Sequence, residues 1–446
     1  MKMKKAIAAV LTLAISGTLF TGCAVTSDSA STTSGTASGT VSTAASATSA
    51  ATSAAASTGD TAGKTVIEFF NQKTEIVDIL QNLISEYEKE NPTISIELTT
   101  PTDATTVLTS RMASDDTPDI FTQWPSSTFF SEVDSGYVMD LTDTGIMDNV
   151  SDVAKNQWKH NGKDYAAEIS YNCSGIWYNK DLFTKAGITT LPTTWDELMK
   201  DCETFKAAGI TPFEVSAKET SITDRQLQVF LASCMGDNYQ TFEDAASGKT
   251  MDSKASYASS LQSMASKMLQ MISYAQSDVA GTDQDSATAD FASGKAAMMI
   301  GGSWLLASVT SANPDINMAM MPIPGDTAAD TNTCAYPGDM TLCIAAKSDV
   351  QKEAVAFVKW MTDKTQATEY AKAEGNPSCI NGVDYVADQF KDLYDNYVTT
   401  GKFILNPDCT WSSAQQGAAG AAVQQLYYDQ DANAFAENLT SAFNDN

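Results

Sequence analysis

Residues 66–98 read VIEFFNQKTEIVDILQNLISEYEKENPTISIEL, and the periodicities in that line decide the fold class. Val66 to Phe70 is a short β-rich run. After Asn71-Gln72-Lys73 the apolar positions Ile76, Leu80, Leu83, Ile84 and Tyr87 recur at helical spacing, and beyond Pro92 a second strand-like run covers Ile94 to Leu98. Strand, amphipathic helix and strand within about thirty residues make a βαβ unit with parallel strands.

The alternation continues downstream. Thr105 to Ala113 reads as helix, Asp119 to Gln123 as strand and Ser127 to Val138 as helix, which predicts a parallel α/β sheet. Thr194 and Glu197 have capping-box spacing and open a helix that Gly209 ends, after which Thr211 to Val215 returns as strand. Ala296 to Ile300 reads as a buried strand, Gly301-Gly302-Ser303 as a tight turn, and Trp304 as the opening of another helix. Glu353 to Thr362 buries Val355, Val358 and Met361 along one helical face.

The N-terminus carries an address. Lys2, Lys4 and Lys5 precede an apolar run from Ala6 to Phe20, the pattern of a signal peptide over residues 1–22. As a helix that run reaches roughly 22 Å, short of the ~30 Å hydrocarbon core of a bilayer. It ends in Gly22-Cys23, which resembles a bacterial lipobox with Cys23 as the acylated residue. Residues 23–64 are almost all Ser, Thr, Ala and Gly, a composition that buries no core and serves as a lipid-anchored flexible linker.

Beyond the linker the chain is long enough for two lobes. The 446 residues carry a net charge of −28, and arginine stands only at positions 111 and 225. So few basic groups leave phosphate backbones unmet and exclude nucleic acid as a partner. The eight cysteines form no Cys-x-x-Cys pair and have no neighbouring histidines, so their spacing supports neither a zinc site nor a disulfide framework. Cys334 with Cys343, or Cys202 with Cys234, are the pairs near enough in sequence to bridge. His160 is the sole histidine and sits in Lys159-His160-Asn161-Gly162, which reads as a hairpin turn. A Ser-His-Asp or Cys-His nucleophile would have to use it, and no Gly-x-Ser-x-Gly elbow, P-loop or Asp-x-Asp-x-Asp-Gly calcium loop accompanies it. No cofactor or metal is expected.

Tyr178 to Phe183, Ala186-Gly187-Ile188 and Pro192 to Leu198 stand in an order, with Phe291 to Met298 and Gly302-Ser303-Trp304 behind them, that resembles the extracellular solute-binding proteins of ABC importers. The similar branch is the sugar-binding one that includes maltose-binding protein; Pro118-Asp119-Ile120 also matches, and the resemblance spans nearly all of Val66 to Phe443. It implies an α/β, two-lobed, type II binding-protein fold in which each lobe is a mostly parallel sheet flanked by helices. Lobe one would comprise 65–170 plus 337–375 and lobe two 176–336 plus 376–446, joined by hinge crossings. It further implies a monomer at the extracellular face of the membrane that hands a carbohydrate to ABC permease subunits and catalyses nothing.

A sugar offers hydroxyls at its rim and C–H faces above and below, so its receptor needs amides and carboxylates at the edge and aromatic plates on the flats. Asn71, Gln72 and Lys73 occupy the loop at the C-terminal end of the first strand, and Trp124 follows the strand at Ile120, where open α/β sheets bind ligands. By the resemblance, Trp304 corresponds to a ligand-stacking tryptophan, Trp411 lies where the family often places another, and Asn172 falls on a lobe crossing. Asp339 after the second crossing and Glu219 after a lobe-two strand complete the candidate set. Trp177, Trp195 and Trp360 read as packing residues. The competing classes are a secreted glycosidase using an Asp/Glu pair and a surface adhesin that uses the tether to bind protein.

Overall fold

The computed structural model describes residues 63–407 and 410–446. The segment expected to be a signal peptide, Cys23 and the expected linker as far as residue 62 lie outside them. Strand β1 (Thr65–Phe70) pairs in parallel with β2 (Ile94–Thr99) and with β3 (Ile120–Thr122). Alternation along β1 sends Ile67 and Phe69 to one face and Phe70 to the other. Helix α1 (Val77–Glu90) covers the first face with Leu80, Leu83, Ile84 and Tyr87, the stripe expected from the sequence. Helices α2 (Ala104–Ala113) and α3 (Ser127–Asp134) cover the second through Leu108, Met112 and Phe129. A sheet clad on both sides explains why β3 is buried throughout. Helix α3 stops short of the expected Val138, because the Tyr137 N–H turns back to Glu132 O and caps it.

Strand β4 (Ala167–Asn179) leads out of this first core through the middle of the sheet. Helix α4 (Trp195–Ala207) opens with Thr194 Oγ1 accepting from Glu197 N–H at 3.3 Å. The Glu197 carboxylate accepts from Thr193 N–H at 2.8 Å, one residue earlier than a capping box requires. Strand β5 (Thr211–Glu214), α5 (Thr220–Cys234), α6 (Gln284–Ala292) and β6 (Ala296–Gly302) come next. Trp304 then falls in a single 3-10 turn, Ser303–Leu305, that leads into a short helix. Strand β7 (Met318–Met321) returns antiparallel to β4, and β8 (Thr333–Ile344) runs back through both halves. Helix α7 (Lys364–Glu374), β9 (Phe403–Leu405) and α8 (Ser413–Asp429) complete the elements that matter for the site.

Among the described residues the main sheet is nine-stranded, in the order β2-β1-β3-β8-β4-β6-β5, with β9 on β8 and β7 on β4. Its wings are parallel, β1 with β2 and β3, and β5 with β6. Its centre is antiparallel, because β4 and β8 run opposite ways through it. The expected parallel pattern therefore holds at each end and gives way where the chain passes between two cores. One core gathers Ile67, Leu80, Ile120, Phe357 and Tyr370, and Cys379 and Ile380 pack into it as well. The other gathers Trp195, Phe213, Phe230, Met268 and Phe443. The architecture is α/β and two-lobed. Among the described residues no helix is long and apolar enough to cross a membrane.

Cys202, Cys234 and Cys343 carry free thiols, so neither bridge suggested by sequence proximity forms; Cys409 lies outside the described residues. Burial pushes the Cys173, Cys202 and Cys234 thiols up to about 12, which leaves them protonated and inert. His160 occupies the hairpin foreseen for it, with Asn161 and Gly162 both at positive φ, and its ring lies 2.7 Å from Asp134 Oδ1 through Nε2.

Candidate functional site

A cavity of about 460 Å³ opens at the middle of the sheet, between residues of the first core's helices and loops and residues of α5, α6 and the α8 N-terminus. The loop after β1 forms its floor. Asn71 is wholly buried: its Nδ2 donates to Lys73 O at 2.5 Å and its Oδ1 accepts from Lys73 N–H at 3.1 Å. That tight loop turns the Lys73 side chain inward. Lys73 Nζ then lies 2.5 Å from Asp339 and 3.0 Å from Glu374. Gln72 points the other way, donating to Thr122 O at 2.6 Å and accepting from Thr105 Oγ1 at 2.9 Å.

Asp339 reaches this point because β8 is irregular. Its register against β4 shifts between Tyr336 and Met340, a bulge that aims the carboxylate inward. Gly338, at φ +84°, is needed twice over, for a Cβ there would strike the rings of Pro125 and Trp158. Asn376 Nδ2 donates to Asp339 Oδ2 at 2.7 Å and to Asn172 Oδ1 at 2.8 Å, and Ser303 Oγ donates to Asn172 at 2.9 Å. Burial alone would raise Asp339, but the Lys73 ammonium, with hydrogen bonds from Glu374, Lys73 and Asn172, holds its carboxyl below the usual range. Glu374 takes the opposite path: burial, with Asp339 beside it, pushes it up to about 8 despite Lys73. Burial also lowers Lys73, and its carboxylate neighbours more than reverse this. One cation thus faces a carboxylate and a carboxylic acid.

Trp124 and Trp304 both border the cavity and are partly exposed. Trp124 follows β3 closely. Gln123 before it donates to Glu132 Oε2 at 2.8 Å. Trp304 lies on the opposite wall, where Arg225 Cζ stands 5.2 Å from its ring centre. Amides from Gln284, Asn406 and Gln416 complete that wall.

Of the sequence candidates, Lys73, Trp124, Asn172, Trp304 and Asp339 meet in this cavity. Asn71 and Gln72 shape its floor from behind. Glu219 stands at the N-terminus of α5, in a neighbouring depression with Asp283 and Asp285. Trp411 requires correction: it is 0 % exposed, packs edge-on against Phe443 at 4.7 Å, and donates through Nε1 to Glu243 at 3.2 Å. A ring sealed in the second core offers no face to a ligand. The surrounding segment does reach the cavity, through Asn406, Ser413 and Gln416. Sequence reasoning missed Gln123, Glu132, Arg225, Gln284, Asn406 and Gln416. Adjacency to Trp124 marks Gln123, whereas nothing local marks the others.

A family model for bacterial extracellular solute-binding proteins matches residues 72–368. The multiple sugar-binding protein of Streptococcus mutans is 32% identical over 331 residues, 72% of this chain and 76% of that protein. The melibiose/raffinose/stachyose-binding protein MelE of Bacillus subtilis is 26% identical over 317 residues, 69% of this chain and 72% of that one. Among solved structures, RafE in complex with raffinose superposes with a TM-score of 0.78 at 24% identity, over 86% of this chain and 99% of that one. The apo form of RafE from Streptococcus pneumoniae gives 0.74 at 24% identity, over 86% and 98%. At such identities the superpositions establish the fold. With the family model matching residues 72–368 and the streptococcal relative covering 72% of the chain, the chain belongs to the bacterial extracellular solute-binding proteins of ABC importers.

Proposed function

We propose that this protein captures a neutral carbohydrate in the cavity between its lobes and delivers it, chemically intact, to an ABC permease. The observation that carries the reading is the lining itself: Trp124, Trp304 and the amides at 123, 172, 284, 406 and 416 border one cavity. Aromatic faces meet sugar C–H faces, and amides donate and accept at once toward hydroxyls. The relatives named for multiple sugars and for raffinose-type sugars support the same class. The volume, about 460 Å³, falls in the range of sites that enclose a small ligand.

In this reading Lys73 does not hold an anion, since Asp339 and Glu374 already occupy its ammonium. The two moving bodies are 65–170 plus 337–375 and 176–336 plus 376–446, except that Cys379 and Ile380 move with the first core, into which they pack. Ligand docks on one, hinge bending brings the other over it, and the closed pair is what the permease engages. The protein works as a monomer, tethered by a lipid on Cys23 through the linker, at the extracellular face of the membrane.

The test is calorimetry on the full chain in mild detergent against raffinose, stachyose, maltotriose and xylotriose, followed by chromatography of the recovered sugar. Binding of at least one with the sugar returned unaltered is expected. No binding across the panel, or cleavage of a glycosidic bond, would end the proposal.

A further inference from the structure

Asn376 is wholly buried and does not border the cavity, yet its amide touches two side chains that do. The chain places it firmly. Gly375, at φ +93°, ends α7 in the left-handed conformation, and Pro377 disfavours helix for the residue before it. The segment then lies along β4, where Tyr171 N–H donates to Pro377 O at 3.1 Å and Cys379 N–H donates to Ile169 O at 2.8 Å. From that fixed backbone Asn376 Nδ2 spends its donors on Asn172 Oδ1 and on Asp339 Oδ2.

The orientation of this amide is forced. Turned over, its oxygen would face the oxygens of Asn172 and Asp339; as it stands, its own Oδ1 is buried with no hydrogen-bond partner among the described residues. A buried acceptor left alone costs stability, so the orientation follows from what the donors serve. Asn172 Oδ1 also accepts from Ser303 Oγ at 2.9 Å, and Ser303 is held in turn, its Oγ accepting from Cys173 N–H at 3.2 Å. Two donors fill the lone pairs of the Asn172 carbonyl oxygen. Asn172 therefore has only N–H groups to offer the cavity it borders, one of them shared with Asp339. Asp339 is itself engaged by Lys73, Asn376, Glu374 and Asn172, which takes up the lone pairs of a carboxylate. At this place a ligand meets an amide donor.

We infer that Asn172 is the donor that recognises an acceptor oxygen of the sugar, a hydroxyl or a glycosidic oxygen, and that Asn376, outside the cavity, is the positioning residue that fixes its polarity, with Ser303 holding the same carbonyl. The inference rests on the carbohydrate reading and deepens it. Without Asn376 the Asn172 amide can turn over and offer its oxygen, and binding then has to order a group that the wild type presents already set.

The experiment is a double-mutant cycle by calorimetry on the full chain in detergent, with raffinose, stachyose, maltotriose and xylotriose as probes. Asn172→Ala should weaken the probe that binds by about tenfold or more. Asn376→Ala should weaken it by about fivefold or more from outside the cavity, and the double variant should bind within about twofold of Asn172→Ala alone. A residue that merely supported the fold would weaken binding by the same factor in both backgrounds. Ser303→Ala should lose about threefold or more, again only while Asn172 is present, and this arm carries the test if Asn376→Ala does not fold. Losses that multiply with Asn172→Ala overturn the inference, as does an affinity within about twofold of wild type in Asn172→Ala or in the positioning variant that folds. In each of those cases wild type still binds sugar and the carbohydrate reading stands. Wild type that binds no probe sinks both.

Discussion

Lys73 Nζ lies 2.5 Å from Asp339 Oδ1, with the two side chains 3% and 4% exposed, and the pair joins the loop after β1 to the bulge of β8. A buried ion pair adds little against an apolar replacement, but breaking it leaves a lone charge in a dry site. Lys73→Met should therefore destabilise by about 3–5 kcal/mol, read by urea unfolding. Lys73→Met with Asp339→Asn should recover much of that loss. Equal losses in the single and double variants would show that the pair is not the unit.

Stability should depend on pH through buried acids. Glu374 at about 8 and Glu168 at about 7, both raised first by burial, hold protons in the folded chain. In the unfolded chain the same groups release them near ~4.3. Stability from these groups is thus complete below that value and falls as pH rises toward 8. Glu214, raised by burial to about 7, acts in the same direction. Asp339 is depressed, so its own contribution is lost only under stronger acid. The Tm should fall between pH 5 and 8, and Glu374→Gln should flatten the upper part of that slope. A Tm that climbs over the interval would contradict the assignment.

Two tryptophans should separate cleanly. Trp124→Ala should cost about 1–3 kcal/mol of sugar affinity with the fold intact, since its ring is partly exposed at the cavity. Trp411→Ala should cost about 3–5 kcal/mol of stability, because it empties a fully buried site against Phe242 and Phe443. Calorimetry and thermal unfolding on both variants check this. Exchange of the two phenotypes would mean the cavity is misassigned.

Cys23→Ser should shift the protein from the membrane fraction to the medium and abolish incorporation of labelled palmitate. Retention in the membrane fraction would indicate a different anchor.

The fold was legible wherever a local pattern reports a local structure. The alternation in β1, the stripe of α1 and the hydroxyl of Thr194 each encode their own neighbourhood. The site was half legible, because strand-end loops of parallel sheets face ligands and this picked out Lys73 and Trp124. It failed where side-chain direction depends on distant packing. Trp411 follows a loop, and contact with the distant Phe242, Phe443 and Glu243 turns it inward. Arg225 and Gln284 reach the cavity because of where their helices dock, which no local spacing records. The antiparallel centre of the sheet was equally invisible, since pairing of β4 with β8 joins segments far apart in sequence.

The irregularity between Tyr336 and Met340 has a mechanical meaning. A continuous ladder along β4 and β8 would brace the molecule like a splint, whereas missing rungs at this one place concentrate compliance there. Gly338 keeps that weak point from being filled, because any side chain at 338 would press on Pro125 and Trp158 and so couple the joint to the cavity wall beside Trp124.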